Sequence, residues 1–313
     1  MKVKEIFDLA TKIGIENDFR TKDEIRDLLK RRKEKFKKMT KEEKDFFDKD
    51  ALVNPYSDSA IHHDNGKSIK KVFASIDITI GGLILAKELG ADLVINHHPI
   101  GKSLSRLDDV MNLQIDMYEK YGIPVNIAEK LTKKRISEVA RGVNPANHFN
   151  IVDAAKLIDI NLINVHTPAD NCVAKLIVNT VEKIKPRYVE DITKAIEKIP
   201  EYKEAKKKAF GPMIFSGSPE NRCGKVIISE ITGGTEGVKN IYQTLSNFGF
   251  GTVLAMHQSE AHRESAEKAH MNVIIAGHIS SDSVGMNIFL DKLEKKGLKI
   301  LPFGGLIRHS RNK

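Results

Sequence analysis

The chain has 313 residues and a formal net charge of +9, with 51 basic and 42 acidic residues. This length is enough for one large or two ordinary domains, and no apolar run approaches the ~20 residues of a membrane span. Acidic residues interrupt the N-terminus, so we expect no signal peptide. Cys172 and Cys223 form no metal or disulfide pattern, which favours a cytoplasmic protein. Because positive and negative residues are interspersed, a nucleic-acid partner is not the expectation.

The first 50 residues are predicted to be helical. The segment MKVKEIFDLATKIG places Ile6, Leu9 and Ile13 on one face of a helix. In residues 20–50, a threonine is twice followed three residues later by a glutamate, which predicts capped helices near 22–38 and 41–49. Their lysines are interpreted as a solvent-exposed face. His62 and His63 follow no recognisable strand and are expected in a loop.

Strands and helices alternate from residue 71 onward. Apolar runs flanking helices indicate parallel βαβ units, so the fold class is α/β. The predicted strands are KVFASIDI, DLVIN, IPVNIA, NLINVH, GKVIISEI, GTVLAM, NVIIAGH and KILPF. The predicted helices are TIGGLILAKELGA, TEGVKNIYQTLSNFG, SEAHRESAEKAH and segments near 109–121, 129–142, 151–158, 171–183 and 282–296.

Two α/β domains are expected. The first covers residues 1–165 and is continued by residues 253–313, and the second, inserted domain covers residues 166–252. Within the second domain, residues 184–224 lack a strong strand pattern.

Histidine and aspartate recur where predicted strands end. DLVIN is followed by His97 and His98, and NLINVH ends in His166 with Asp170 four residues later. NVIIAGH ends in His278 with Asp282 four residues later, and His257 follows GTVLAM. Ligands of parallel sheets bind outside the carboxyl ends of the strands.

These residues also permit simpler interpretations. Asp170 is suited to cap the helix that follows it, and Ser280 or Ser281 to cap the next one, with Asp282 merely favouring the helix dipole. The glycines of ITGGTEGV are interpreted as a tight turn, since no P-loop lysine follows them. If the imidazoles and carboxylates do converge, they suit zinc, iron, manganese or nickel. Five ligands are about right for two ions that share a carboxylate.

Four segments resemble the NIF-three-like family, whose members are also called GTP cyclohydrolase I type 2-like proteins. These segments are KVKEIFDLATKI, VFASIDIT with GADLVINHHPI, INVHTPADN, and NVIIAGHISSDSVG. The resemblance implies two α/β domains with a dinuclear metal site near their junction, and a ring-shaped homo-oligomer, often a hexamer. Carried over residue by residue, it implies His97, His98, Asp170, His278 and Asp282 as ligands of two divalent ions.

The sequence departs from the family pattern in several ways. Asp282 stands where the family normally has a glutamate, and the charged block at 20–50 is not typical. AMHQSEAHRES stands where the family often has a Gly-Glu and a histidine pair, and NPYSDSAIHHDNGK where it usually has an Asp-Asn turn. His166, His257 and His262 are expected near the ligands rather than among them.

Two functions follow from the resemblance. The first is a metal-dependent hydrolase acting on a nucleotide, a phosphoester or a ring amidine. The alternative is a non-enzymatic metal-binding scaffold or regulator that binds protein partners.

Overall fold

The computed structural model describes residues 1–312. Within them the helices are α1 Val3–Glu16, α2 Lys22–Lys38, α3 Lys41–Phe46, α4 Ile80–Glu88, α5 Gly101–Leu104, α6 Leu107–Val110, α7 Asn112–Lys120, α8 Val125–Val143, α9 Asn150–Leu157, α10 Thr167–Ile184, α11 Val189–Ile196, α12 Pro200–Lys207, α13 Ile241–Asn247, α14 Glu260–Lys268 and α15 His278–Glu294. The strands are β1 Ala60–His63, β2 Lys71–Ser75, β3 Leu93–Asn96, β4 Asn161–Asn164, β5 Met213–Ser216, β6 Lys225–Ile228, β7 Phe250–Ala255, β8 Asn272–Ile275 and β9 Lys299–Phe303.

The first sheet has the strand order β1-β4-β3-β2-β9. β4, β3, β2 and β9 run parallel, and β1 pairs with β4 in the antiparallel direction. Helices cover both faces, with α1 and α15 packed on one core and α4 and α9 on the other. This explains why β3 is a continuous run of buried residues, as parallel strands between two helical layers require.

The second sheet has the order β5-β8-β7-β6, with β5 antiparallel to β8 and the other pairs parallel. One face packs against α8, α13 and α14, and the other against α10 and α11. The predicted α/β class, with two mainly parallel sheets, is confirmed.

Several elements differ from the sequence prediction. IPVNIA is not a strand, because Pro124 precedes the first turn of α8, where its fixed φ suits a helix. The edge strands β1 and β5 were not predicted, since both are short and mostly half-exposed. α13 begins at Ile241 instead of residue 235, and α15 begins at His278 instead of residue 282.

The sequence predicts that the first domain resumes at residue 253, but most of the strands from that point on do not join the first sheet. β7 and β8 lie in the second sheet, and only β9 returns to the first. Buried parallel strands have similar apolar sequences, so the sequence pattern does not indicate to which sheet a strand belongs.

No helix within residues 1–312 is long and apolar enough to cross a membrane.

Candidate metal centre

The strand ends of both sheets supply one cluster of side chains. His97 and His98 follow β3, and His166 and Asp170 lie at the start of α10, directly after β4. His278 and Asp282 lie in the first turns of α15, after β8 of the second sheet. In both helical pairs the spacing of four residues brings an imidazole and a carboxylate to the same face.

Three imidazoles of this cluster are oriented in the same way. Each has its Nδ1 atom held by an oxygen that accepts a hydrogen bond. These pairs are His97 Nδ1 with Val165 O at 2.9 Å, His98 Nδ1 with Asp77 Oδ1 at 2.7 Å, and His166 Nδ1 with Asp58 Oδ2 at 2.7 Å. Nδ1 therefore carries a proton, and each Nε2 atom faces the centre, where it could offer a lone pair to a metal ion. This is the usual arrangement of histidines that bind metal.

Two buried aspartates face these Nε2 atoms. Oδ1 of Asp170 lies 3.3 Å from His97 Nε2, and its Oδ2 lies 3.7 Å from His166 Nε2. None of the four carboxylate oxygens of Asp170 and Asp282 has a hydrogen-bond donor among residues 1–312, and neither has His97 Nε2. Buried carboxylates without a donor or a cation are costly, so these oxygens require either a bound cation or protons on the Nε2 atoms that face them.

The oxygens of Asp282 point in two directions. Oδ1 lies 3.5 Å from His97 Nε2, whereas Oδ2 lies 3.4 Å from His98 Nε2 and 3.6 Å from His278 Nε2. Two groups have atoms close enough to hold an ion: His97, His98 and Asp282 form one, and His97, His166 and Asp170 form the other. Asp282 thus borders both sides of the cluster, although it is one methylene shorter than glutamate.

The charges of the cluster shift the pKa values of its members. Burial lowers the pKa of His97, but Asp282 and Asp170 outweigh burial and raise it well above its usual range. Burial also lowers the pKa of His98, but hydrogen bonds to the carboxylates of Asp282 and Asp77 outweigh it and raise this pKa to about 9. Without a metal ion, the buried carboxylates favour protonated imidazoles.

One side of the cluster is open. The His278 side chain is 40% exposed, whereas those of His97, Asp170 and Asp282 are at most 1% exposed. The ring of His257 lies 5.0 Å from that of His278, centre to centre, and burial lowers the pKa of His257 to about 4. A small molecule would reach the cluster from the side of His278.

The other predicted histidines have different partners. Both ring nitrogens of His262 are engaged, Nδ1 with Ser259 Oγ at 2.8 Å and Nε2 with the Gly237 carbonyl at 3.0 Å. His62 and His63 lie on β1 instead of in a loop, and they face Asn164 and Asp159. None of these three belongs to the groups that could hold an ion within residues 1–312.

Three acidic residues near the strand ends were missed by the sequence reasoning. Asp58 and Asp77 orient His166 and His98, and only Asp77, in the acid-Thr turn after β2, lay within a recognised motif. Glu230 follows β6 and is fully buried, and burial raises its pKa to about 8. The rule that polar residues at strand ends form sites would have included Glu230, had it been applied to GKVIISEI.

The residues fit a metal ion. The imidazole and carboxylate donors suit divalent transition metals, and the buried oxygens without donors need a cation. His166 belongs with the candidate ligands, since its Nε2 atom is as well oriented as those of His97 and His98. The ligand roles of His97, His98, Asp170, His278 and Asp282 remain a prediction, but the structure places all five side chains together.

The chain is similar to the crystal structure of a NIF3 superfamily protein from Sphaerobacter thermophilus, with 27% sequence identity and a TM-score of 0.74 over 80% of this chain and 92% of that one. A more distant similarity is to reduced HcgD from Methanocaldococcus jannaschii, with 17% identity and a TM-score of 0.46 over 78% of this chain and 88% of that one. Another is to a protein related to NIF3 from Bacillus cereus, with 12% identity and a TM-score of 0.41 over 78% of this chain and 89% of that one. No family model and no curated protein matches the sequence. The first similarity and the ordered His/Asp motifs together support a NIF3-like family assignment for the chain.

Proposed function

We propose that this protein is a divalent-metal-dependent hydrolase with a dinuclear site. The observation that supports it most is the set of four buried carboxylate oxygens of Asp170 and Asp282, which face four imidazoles and have no hydrogen-bond partner in the described part of the chain. A purely structural cluster would satisfy these oxygens with N–H or O–H groups.

Two ions account for the cluster better than one. His98, His278 and Oδ2 of Asp282 would hold the first, and His97, His166 and Asp170 would hold the second, with Oδ1 of Asp282 between the two sets. Divalent ions in such sites polarise a phosphoryl or carbonyl oxygen and activate water for attack. Zinc, iron, manganese and nickel all suit this donor set.

The chain's own residues prepare the site. Asp58, Asp77 and the Val165 carbonyl fix the orientation of the imidazoles, so no rearrangement is needed when an ion binds. The buried walls around His97 keep bulk water from the aspartates, and the exposed His278 leaves room for a substrate. A phosphoester or nucleotide fits this arrangement, because its oxygens would approach from the His278 side.

Metal content tests the site directly. We expect about two ions per chain in the wild type, and a loss of at least one in Asp170→Asn and in Asp282→Asn, measured by elemental analysis. Asp27→Asn, on the exposed side of α2, is the matched control and should keep wild-type metal content. Unchanged metal in both site variants would refute the assignment.

Hydrolysis separates an enzyme from a scaffold. We expect the metal-loaded wild type to cleave p-nitrophenyl phosphate or members of a nucleotide panel, and Asp170→Asn to lose this activity while keeping its oligomeric state. Partner binding that survives Asp170→Asn, without any hydrolysis by the wild type, would favour the scaffold.

The proposal includes a homo-oligomer, with a ring-shaped hexamer as the assembly that the family resemblance implies. Its support is an apolar surface on α4 and the residue that follows it, where Ile80, Ile84, Leu85 and Leu89 are each at least 40% exposed. Adjacent exposed apolar side chains of this kind are typical of protein–protein contacts.

A further inference from the structure

A groove leads from the candidate metal centre across the surface. Its first part is a cleft of about 650 Å³ next to His278, lined by Phe210, Ile279, Leu306, Lys208 and the 303–305 turn. Apart from His278 and Lys208, the residues that line this part carry no charge. This volume lies within the range of small-molecule sites.

The second part of the groove is strongly basic. It is a cleft of about 670 Å³ that shares Lys208, Leu306 and Ile307 with the first part, so the two adjoin. Four lysines line it, against a single glutamate. These lysines are Lys198, Lys203, Lys207 and Lys208, and the glutamate is Glu204.

The lysines are not neutralised by their surroundings. Glu204 is shared between Lys207, at 3.3 Å, and Lys208, at 3.6 Å. The amines of Lys198 and Lys203 contact no carboxylate among residues 1–312, whereas Lys206, which lies on α12 with Lys203, pairs with Glu197 at 2.6 Å. Arg308 also borders the groove, but Asp291 and Glu294 each lie 2.7 Å from its guanidinium. The groove therefore keeps an excess of positive charge that an anion would compensate.

The backbone holds the first part of the groove against the metal centre. Gly304 accepts hydrogen bonds from the amides of Ile76 and Asp77, at 3.1 and 3.2 Å, and Asp77 orients His98. With φ +54°, Gly304 lies so close to Asp77 that an added β carbon would come within 2.3 Å of its carbonyl oxygen. The turn after β9 is thus fixed beside the cluster, with Leu306 on the groove wall.

We propose that this groove binds a phosphorylated small molecule, with its phosphate on Lys203, Lys207 and Lys208 and an apolar or aromatic body against Phe210 and Leu306. The proposal rests on the proposed function, because it assigns the reacting end of the molecule to the metal centre beside His278. The order of surfaces along the groove, metal ligand, apolar wall and lysines, gives the order of groups in the ligand. Binding of a nucleic acid in place of a small molecule is an outcome of the test below.

Adenosine, AMP and ADP are suitable probes, because they share one aromatic body and differ only in phosphate. We expect calorimetric titrations of the wild-type protein to show increasing affinity from adenosine to ADP, with the gain falling as salt is added. The triple variant Lys203→Gln/Lys207→Gln/Lys208→Gln should bind ADP at least tenfold more weakly but adenosine equally well, because it removes the three positive charges that face the phosphate. Phe210→Ala should lower the affinity for all three probes.

The control variant is Lys30→Gln/Lys33→Gln/Lys35→Gln, which removes the same charge from α2 and should leave ADP binding unchanged. Equal losses in both triple variants, no gain from phosphate in the wild type, or tighter binding of single-stranded oligoadenylate than of ADP would each overturn the proposal. Metal content, measured in every sample, tests the proposed function separately. If the wild type held no metal but its affinity for ADP still depended on the three lysines, the proposed hydrolase would be refuted and the proposed phosphate site would be supported.

Discussion

Gly285 of α15 packs directly on the Ala169 carbonyl of α10. A β carbon added at Gly285 would lie 2.3 Å from that oxygen, closer than any contact allows. Asp170 follows Ala169, and Asp282 lies one helical turn before Gly285, so this contact sets the distance between the two carboxylates. We expect Gly285→Ala to separate the helices, to reduce metal content without removing a ligand, and to cost about 1–3 kcal/mol in unfolding free energy.

Gly142 provides the control for this substitution. It lies in α8, and a β carbon there would meet nothing within 4 Å. Gly142→Ala should keep its metal and should gain up to about 1 kcal/mol of stability, as expected for alanine in a helix. Full metal loading of Gly285→Ala, measured by elemental analysis, would show that the helix contact does not set the site.

Asp58 and Asp77 are expected to control the two ions separately. Asp58→Asn removes the charged acceptor of His166, and Asp77→Asn removes that of His98. Each substitution should lower the binding affinity for one of the two ions by about 10–100-fold. Competition with a chromogenic chelator would measure the two affinities. Asp159→Asn alters an aspartate–histidine pair outside the cluster, with His63 at 3.2 Å, and should change neither affinity.

Metal binding should release protons. In the metal-free protein Asp282 and Asp77 raise the pKa of His98 to about 9, and the pKa of His97 is raised as well. Below these pKa values the ion must displace the protons, so affinity should increase with pH up to about 9, by about tenfold per unit for each proton displaced. Calorimetry in buffers of different ionisation enthalpy would count the protons. An affinity that stays constant between pH 6 and 8 would contradict the protonated state.

Glu230 should make the fold less stable as the pH rises. Burial raises its pKa from 4.5 to about 8, so the folded state keeps a proton that the unfolded chain has lost. Between these values the free energy of unfolding should fall with increasing pH, by at most ~1.4 kcal/mol per unit. Glu230→Gln keeps an oxygen to accept the Gly237 amide and removes the titration. Its stability relative to wild type, from urea unfolding, should rise between pH 5 and 8, and parallel pH profiles would rule this out.

The apolar surface of α4 should hold subunits together. Ile84 is 52% exposed, and we expect Ile84→Glu to yield a smaller assembly by analytical ultracentrifugation, because a charge would be buried in the contact. Glu88→Gln, on the same helix, is a control that should leave the assembly unchanged. A monomeric wild type, or an Ile84→Glu variant of the wild-type size, would contradict the proposed oligomer.

Much of the site could be predicted from the sequence because its residues follow strong strand patterns. The apolar run DLVIN identifies β3, and its carboxyl end places His97 and His98 at the edge of a parallel sheet. The two pairs with i, i+4 spacing, His166 with Asp170 and His278 with Asp282, required only that a helix begin at the histidine. The resemblance selected five of these six residues and placed His166 outside the ligand set.

Other features depend on long-range contacts that a local pattern does not contain. Asp58 lies in an irregular segment and reaches His166 only because β1 pairs with β4. β7 and β8 belong to the second sheet because they pair with β6 and β5, and their apolar sequences do not reveal these partners. The groove requires the turn after β9 to meet the end of α12, nearly a hundred residues earlier in the chain.

The pairing of His98 with His278 has a consequence for synthesis. Their Nε2 atoms lie 3.4 Å apart, but the residues are separated by 180 positions in the sequence. The unfolded chain therefore has no complete ligand set, and neither does a nascent chain that has not yet released α15 from the ribosome. Because only the folded chain brings these residues together, the proposed ions would bind after the chain has folded. Metal availability in the cell should accordingly govern the fraction of active molecules, while the yield of folded chains depends on it much less.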